Sequence, residues 1–265
     1  MANPTGKKPI IEIKNLKKSY GDNHVLEGFN MELYEGENLV IMGKSGSGKS
    51  VMIKCLIGLE EPDNGTINIM GQNINNLEHS ELDELRTEIG FLFQGSALYD
   101  SMTVRENLEF PLRRHTKKFG VIKDTTPMVM EALENVGLAH AINLMPSELS
   151  GGMKRRIALA RTLILQPKII LYDEPTTGLD VTVQAEIMEL LRQIRRDLNT
   201  SIILVSHDLP LINEVCDDIV IMHAGATVEK IPSAQIEDTR HPYTEALYNS
   251  RIDLVEPRGK LVTIK

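Results

Sequence analysis

The chain of 265 residues is long enough for one large α/β domain, or for one domain with an insert and a tail. Its net charge of −8 argues against a nucleic-acid-binding protein, because a basic surplus is needed to neutralise backbone phosphates. No apolar run approaches the ~20 residues that cross a bilayer, so we expect any membrane role to depend on a partner.

The strand pattern changes along the chain. Residues 10–37 alternate apolar and polar positions between Gly and Asn-Asp turns, which predicts an antiparallel flank. Continuous apolar runs, typical of buried parallel strands, follow at residues 38–42, 168–173, 201–206 and 218–222. Helical patterns alternate with these runs, and one of them places Ile187, Leu190, Leu191 and Ile194 on one face. We therefore predict an α/β fold with a mainly parallel sheet flanked by helices.

Two segments stand apart from this alternation. Between about residues 95 and 150 the strand signal vanishes, and helical patterns broken by Pro111, Pro127 and Pro146 predict a helical insert. After about Gly225 the periodicity is lost. We predict a single domain over residues 1–230, with the helical subdomain inside it, and a C-terminal tail over residues 231–265.

A glycine-rich loop lies between the first buried strand and a helical pattern. Gly43 and the run Gly48, Lys49, Ser50 fit the spacing GxxxxGK[ST]. Glycines let successive N–H groups turn towards a ligand, and the helix start adds positive charge at the same point. Lys49 is suited to the β and γ phosphates, and Ser50 to Mg²⁺. The predicted ATP-binding residues here are Gly43, Lys44, Ser45, Gly46, Ser47, Gly48, Lys49, Ser50 and Val51.

An acidic pair follows a later apolar strand. Asp173 ends that strand, so its carboxylate is expected at the carboxyl edge of the sheet, where α/β sheets bind ligands. It is suited to hold Mg²⁺, and Glu174 to polarise an attacking water. The alternative, a pair that only caps the next helix, is weaker because the phosphate loop lies upstream.

A second helix start can also bind an anion. Ser150, Gly151 and Gly152 open an amphipathic helix and offer free N–H groups at its positive end. In a chain that already has a phosphate loop, this start suggests a second phosphate contact. Such a motif is typical of ATP-binding cassette (ABC) proteins, which the chain strongly resembles over about residues 10–224, although Met153 stands where many members have glutamine.

The resemblance extends to further motifs in the family's order. It implies that Tyr20 stacks on adenine, that Gln94 is the Q-loop glutamine near the metal, that Asp180 lies in the D-loop and that His207 is the switch histidine. Alone, Tyr20 would more often be a surface aromatic and His207 a core histidine. The family also implies a homodimer in which Ser150, Gly151 and Gly152 of one chain complete the ATP site of the other.

Within the family the chain is most similar to Mla-type ATPases, which serve phospholipid transport with MCE-domain proteins. Residues 91–115, 147–156 and 43–59 carry this likeness. It implies an integral membrane permease partner, a lipid-binding MCE-domain partner and a peripheral location on the cytoplasmic side of the inner membrane. Residues 173–191 and 240–250 instead resemble oligopeptide-importer ATPases, so that function stays open, as does a non-transport cassette ATPase.

The segment after Gln94 is expected to meet the permease. Residues 95–104 place Leu98, Tyr99 and Met102 close together, and a loop seldom exposes such residues without a partner. The alternative is that all three pack internally against the helical insert.

Overall fold

A computed structural model describes residues 8–92, 97–174, 181–198, 200–206 and 216–249. Three residues of the predicted site, Gln94, Asp180 and His207, therefore lie outside the described part, as do residues 250–265. The chain divides into two compact units, the first formed by residues 1–77 and 203–265 and the second by residues 78–202. The division into a domain over 1–230 and a tail over 231–265 stays a prediction.

The first unit contains the predicted antiparallel flank. Its strands are β1 (Ile11–Tyr20), β2 (Asn23–Leu33), β4 (Asn64–Ile69) and β5 (Gln72–Asn73). They follow the order β2-β1-β4-β5, with β1 antiparallel to both β2 and β4. Ile11 and Ile13 of β1 are buried and Glu12 between them is less so, which is the alternation that the sequence shows. The antiparallel flank is thus confirmed.

The same unit holds the strand that precedes the phosphate loop. β3 (Asn38–Met42) is buried along its whole length and runs parallel to β9 (Asp218–His223). β10 (Ala226–Pro232) pairs antiparallel with β9. β8 (Ser201–Val205) is divided between the units, and the N–H of Ser206 after it donates to the carbonyl of Ile41 at 3.3 Å. Buried strands of this kind position whatever follows their carboxyl ends.

The second unit contains a parallel strand pair and most of the helices. β6 (Ile89–Leu92) runs parallel to β7 (Ile169–Asp173), with Ile89 opposite Ile169. The described helices of the two units are α1 (Lys49–Leu56), α2 (His79–Thr87), α3 (Val104–Arg114), α4 (Thr116–Phe119), α5 (Thr126–Glu134), α6 (Gly151–Leu163), α7 (Val181–Leu198) and α8 (Pro242–Asn249). The predicted apolar face of α7 is buried, and the predicted strands differ from the observed ones by at most one residue.

The helical insert is confirmed, but its prolines do not all break helices. Within the described residues 97–150 there is no strand. Pro111 lies inside α3, which continues because Leu108 and Leu112 on either side are buried and packing outweighs the lost hydrogen bond. Pro127 stands in the first turn of α5, where no N–H is needed, and Pro146 begins a short 3₁₀ helix. Among the described helices, none has the length and apolar content to cross a membrane.

Candidate functional site

The phosphate loop leads from β3 into α1 in the arrangement expected from the sequence. α1 begins at Lys49, and Gly48 before it has φ of 101° and makes no side-chain cap. A Cβ on Gly48 would lie 2.7 Å from the carbonyl oxygen of Val25, and one on Gly43 would lie 2.4 Å from that of Met222. Both positions therefore require glycine. Gly48 also has a left-handed backbone, and Gly43 lies directly against β9.

The interior of the loop holds a buried positive charge. Lys49 is only 7% exposed, and its Nζ donates to the carbonyl of Gly43 at 2.7 Å and to that of Lys44 at 3.2 Å. The hydroxyl of Ser47 is buried without a hydrogen-bond partner among the described residues. A buried polar atom of this kind is costly unless a ligand or water meets it. An ammonium and an unsatisfied hydroxyl inside a glycine loop fit a phosphate ligand.

The outer part of the loop is open. Lys44, Ser45, Gly46 and Ser50 are exposed, and Val51 is half-buried. The Ser50 hydroxyl is thus within reach of a bound ligand or ion. At the end of β1, Tyr20 exposes 45% of its surface, and Lys18 Nζ lies 5.4 Å from its ring centre. An exposed aromatic ring of this kind can stack on a base. The adenine-stacking role of Tyr20 stays a prediction.

In the second unit, the acidic pair ends a buried strand. Tyr172 is 1% exposed, whereas Asp173 and Glu174 after it are half-buried. Glu174 has a positive φ of 48°, which is unusual for a residue other than glycine and is often found at functional sites. Arg155 of α6, itself buried, donates to the backbone carbonyl of Glu174 at 3.5 Å. Burial raises the pKa of Tyr172 to about 12, and the charge of Arg155 opposes that rise.

The second predicted anion site is formed at the start of α6. Ser150 is the N-cap, and its Oγ accepts a hydrogen bond from the N–H of Met153 at 3.2 Å. A Cβ on Gly151 would meet nothing within 4 Å, so the first turn is open to an approaching group. Gly152 is buried, and a Cβ there would lie 2.9 Å from Val183 Cγ1. Gly152 is therefore needed for close packing, and Gly151 leaves the helix start accessible.

The segment after the predicted Q-loop is held by side chains that the sequence analysis did not single out. Arg161 of α6 donates to the carbonyl of Ala97 at 2.8 Å, and its guanidinium lies 5.8 Å from the ring centre of Tyr99. Burial lowers the pKa of Arg161. Tyr99 also packs on Phe110, with ring centres 4.8 Å apart. Tyr99 remains 43% exposed.

Asn107 of α3 makes this segment rigid. Its side chain is fully buried, accepts from the N–H of Tyr99 at 2.8 Å and donates to the carbonyls of Tyr99, Met102 and Thr103 at 3.0–3.1 Å. Of the three apolar residues expected to be exposed here, only Tyr99 is exposed, and Leu98 and Met102 are half-buried. The sequence signal that could have revealed Asn107 is a polar residue on the buried face of an amphipathic helix.

A buried strand, a glycine loop around an ammonium and a following helix define a P-loop nucleotide-binding protein. The family model described as "ABC transporter" matches residues 26–177, more than half of the chain. The chain belongs to the ABC transporter family and contains its ABC ATPase domain.

Solved structures confirm the fold class. A dimeric, post-hydrolysis structure of the ATP-binding cassette MJ0796 bound to ADP and Pi is 32% identical, with a TM-score of 0.76, and the match covers 84% of this chain and 98% of that one. The cbiO1 protein of Clostridium perfringens, part of the transporter complex cbiONQ, is 28% identical with a TM-score of 0.79, over 88% of this chain and 92% of that one.

Curated relatives carry the names of different substrates. The methionine import ATP-binding protein MetN of Clostridium tetani is 38% identical over 80% of this chain and 66% of its own length. The probable ribonucleotide transport ATP-binding protein mkl of Mycobacterium leprae is 39% identical over 91% of this chain and 69% of its own length. The chain thus spans about two thirds of these relatives. Their names support an ABC transporter ATPase and name neither a lipid nor an Mla system.

We expect Asn107→Leu to lower the free energy of unfolding by about 2–3 kcal/mol, because the N–H of Tyr99 and the carbonyl of Met102 would lose the side chain that now bonds them. Urea unfolding of the full chain measures this change. Asn76→Leu, at an exposed position, serves as the control and is expected to leave the free energy of unfolding nearly unchanged. Equal effects of the two substitutions would contradict the role given to Asn107.

Proposed function

We propose that the chain is the ATP-hydrolysing subunit of an ABC transporter that moves phospholipid or a related lipid through a membrane permease. The observation that carries the ATPase part is the buried Lys49 ammonium inside a glycine loop, in a chain of the ABC family. The lipid part rests on the resemblance of residues 91–115 to Mla-type ATPases. The location that follows is peripheral, on the cytoplasmic side of the inner membrane.

In this proposal the loop residues bind ATP through their N–H groups, and Lys49, held beside the carbonyls of Gly43 and Lys44, meets the β and γ phosphates. Ser50 and Asp173, a hydroxyl and a carboxylate, have the oxygen donors that Mg²⁺ prefers, and they would hold it together with Gln94. When bound, the ion supplies charge neutralisation at the phosphates. Tyr20 would stack on the adenine.

Glu174 is the proposed group that orients and polarises the attacking water, with His207 beside the γ-phosphate. Glu174 directly follows a buried strand, which limits the conformations of its backbone. Arg155 also donates a hydrogen bond to the backbone carbonyl of Glu174 at 3.5 Å. A residue fixed at a positive φ cannot readily relax to an ordinary extended backbone. The carboxylate is thereby presented from a restrained backbone, which favours a positioned base.

We expect Glu174→Gln to bind ATP but to turn over at least ~100-fold more slowly, because the amide keeps the shape and loses the base. Steady-state phosphate release and nucleotide binding are measured on the same preparation. Glu134→Gln, an exposed change on α5, is the control and should keep the parent rate. Near-normal turnover in Glu174→Gln would exclude the role.

We further propose that two chains form each ATP site together. Two helix starts suited to phosphate, those of α1 and α6, occur in one chain, and the structure of MJ0796 is dimeric. The Ser150 to Gly152 start of one chain would then meet the γ-phosphate held by Lys49 of its partner, with Asp180 at the interface. ATP would stabilise the closed homodimer, and hydrolysis would release it.

Mixing two inactive variants tests the shared site. We expect Lys49→Ala and Ser150→Arg homodimers to be inactive, and their mixture to recover activity, because a heterodimer holds one intact site made from the two unaltered halves. Random pairing allows up to roughly a quarter of the parent sites. ATPase activity of the separate and mixed proteins is measured; a mixture no more active than its components argues for a site within one chain.

The proposed partners are the permease and an MCE-domain lipid-binding protein. Tyr99 offers the exposed apolar surface for the permease, on a segment made rigid by Asn107 and fixed to α6 by Arg161. A second candidate, methionine import, is favoured by the 38% identity to MetN. An oligopeptide importer is favoured by the residues 240–250, and ribonucleotide transport by the match to mkl. A non-transport cassette ATPase has less support, because the two curated relatives named above are both named for transport.

Purification of the tagged chain with its membrane partners separates these candidates. We expect a permease to co-purify, and phospholipid to stimulate the ATPase of the complex more than methionine, ribonucleotides or peptides do. Tyr99→Glu should lose the permease while keeping nucleotide binding, and Val121→Glu, at a position 88% exposed on the same insert, should keep both. Stimulation by methionine, ribonucleotide or peptide alone would replace the lipid proposal with the corresponding transporter.

A further inference from the structure

The C-terminal helix α8 reaches the phosphate loop. The hydroxyl of Tyr243 accepts a hydrogen bond from the N–H of Lys44 at 3.4 Å, across a sequence separation of 199 residues. Lys44 directly follows Gly43 in the loop. The segment around Tyr243, which resembles oligopeptide-importer ATPases, thus touches the part of the chain that holds the Lys49 ammonium.

The ring of Tyr243 is held in place from its own unit. It packs on His223, the last residue of β9, with ring centres 4.0 Å apart, and its N–H donates to His241 Nδ1 at 3.3 Å. The N–H of His241 donates to the Thr239 hydroxyl, which donates to Glu229 of β10 at 2.8 Å. These contacts, which begin at Glu229 of β10, fix the position of the Tyr243 hydroxyl beside the loop.

The β9–β10 turn supplies a second contact to the same loop. The N–H of Gly225 donates to the carbonyl of Ser47 at 3.1 Å, while the carbonyl of Gly225 accepts from Glu27 at 2.9 Å. The stacking of Tyr243 on His223 ties the helix to this turn. Two residues within the glycine loop, Lys44 and Ser47, are thus both bonded by residues from the last part of the chain.

The bond from Tyr243 acts on the peptide that holds the Lys49 ammonium. The N–H of Lys44 and the carbonyl of Gly43 belong to one planar peptide unit and point in opposite directions. Tyr243 accepts at one end, and Lys49 Nζ donates to the other at 2.7 Å. A peptide that is bonded at both ends is fixed in orientation, and each bond polarises the group so as to strengthen the other.

We propose that Tyr243 is a positioning residue for nucleotide binding, which acts by orienting the Gly43–Lys44 peptide and through it Lys49. This inference rests on the proposed role of the loop in binding ATP. Without the Tyr243 hydroxyl the peptide is freer to rotate, and the loop must be ordered when the phosphates arrive. The entropic cost of ordering the loop weakens nucleotide affinity and leaves the chemical step unchanged. The alternative is that Tyr243 only docks α8 onto the unit.

Removal of the hydroxyl alone separates the two readings. Tyr243→Phe keeps the ring on His223, and Tyr248→Phe is the matched control, because its hydroxyl lies on the same helix and bonds Glu237. In the full chain we expect Tyr243→Phe to raise the KM for ATP about 2–10-fold, the range of one net hydrogen bond, with kcat within about two-fold. Hydrogen exchange of the Lys44 amide, followed by NMR, should also become faster. Tyr248→Phe should change neither.

An unchanged KM and unchanged Lys44 exchange in Tyr243→Phe would overturn the proposal, as would equal changes in both variants. A lowered melting temperature with unchanged KM would establish the docking role instead. Binding of a fluorescent ATP analogue to Lys49→Ala distinguishes a failure of the proposed function. If Lys49→Ala still binds the analogue normally, the ATP-binding role of the loop is wrong. If it does not bind and Tyr243→Phe behaves as the parent, only this inference fails.

Discussion

The described structure depends most on the placement of one positive charge. A lysine ammonium inside a protein is unfavourable unless hydrogen-bonding groups or a counter-charge surround it. Lys49 meets this requirement with the carbonyls of its own loop, at 2.7 and 3.2 Å. Those carbonyls turn inward only because glycine occupies the loop positions that lie against neighbouring backbone. The buried strand β3 before the loop and β9 behind it provide the rigid support.

In the second unit, one helix serves three purposes. α6 begins with an open turn at Ser150 and Gly151, holds the backbone of Glu174 through Arg155, and binds the carbonyl of Ala97 through Arg161. Its 13 residues extend about 20 Å, which is why one helix can contact segments so far apart in the sequence.

The class of protein is better determined than its cargo. Two relatives at 38% and 39% identity are named for methionine and for ribonucleotide transport, so overall identity at this level does not separate substrates. In the proposed transporter this chain binds the nucleotide, whereas the cargo passes through a different protein. A fold hosts many functions, and only the surface that meets the permease can carry information about the substrate. In the proposed transporter that surface is centred on Tyr99.

Several elements of this protein could be predicted from the sequence because they depend on residues close together in the chain. The glycine spacing around Lys49, the strand ending in Asp173 and the apolar face of α7 each depend on neighbouring residues, and the structure has the expected strands and helices at these places. The catalytic and binding roles assigned to those residues remain predictions, including those of Gln94, Asp180 and His207, which lie outside the described part.

Other features were decided by tertiary structure alone. The bond of Tyr243 to Lys44, the clamp of Asn107 around Tyr99 and the hold of Arg155 on Glu174 join residues that the chain brings together only when it folds. Leu98 and Met102 are half-buried for the same reason, although their composition suggested exposure. Local periodicity indicates which face of an element is apolar; which side chain meets which backbone group depends on strand register and helix packing, and those follow from contacts between distant parts of the chain.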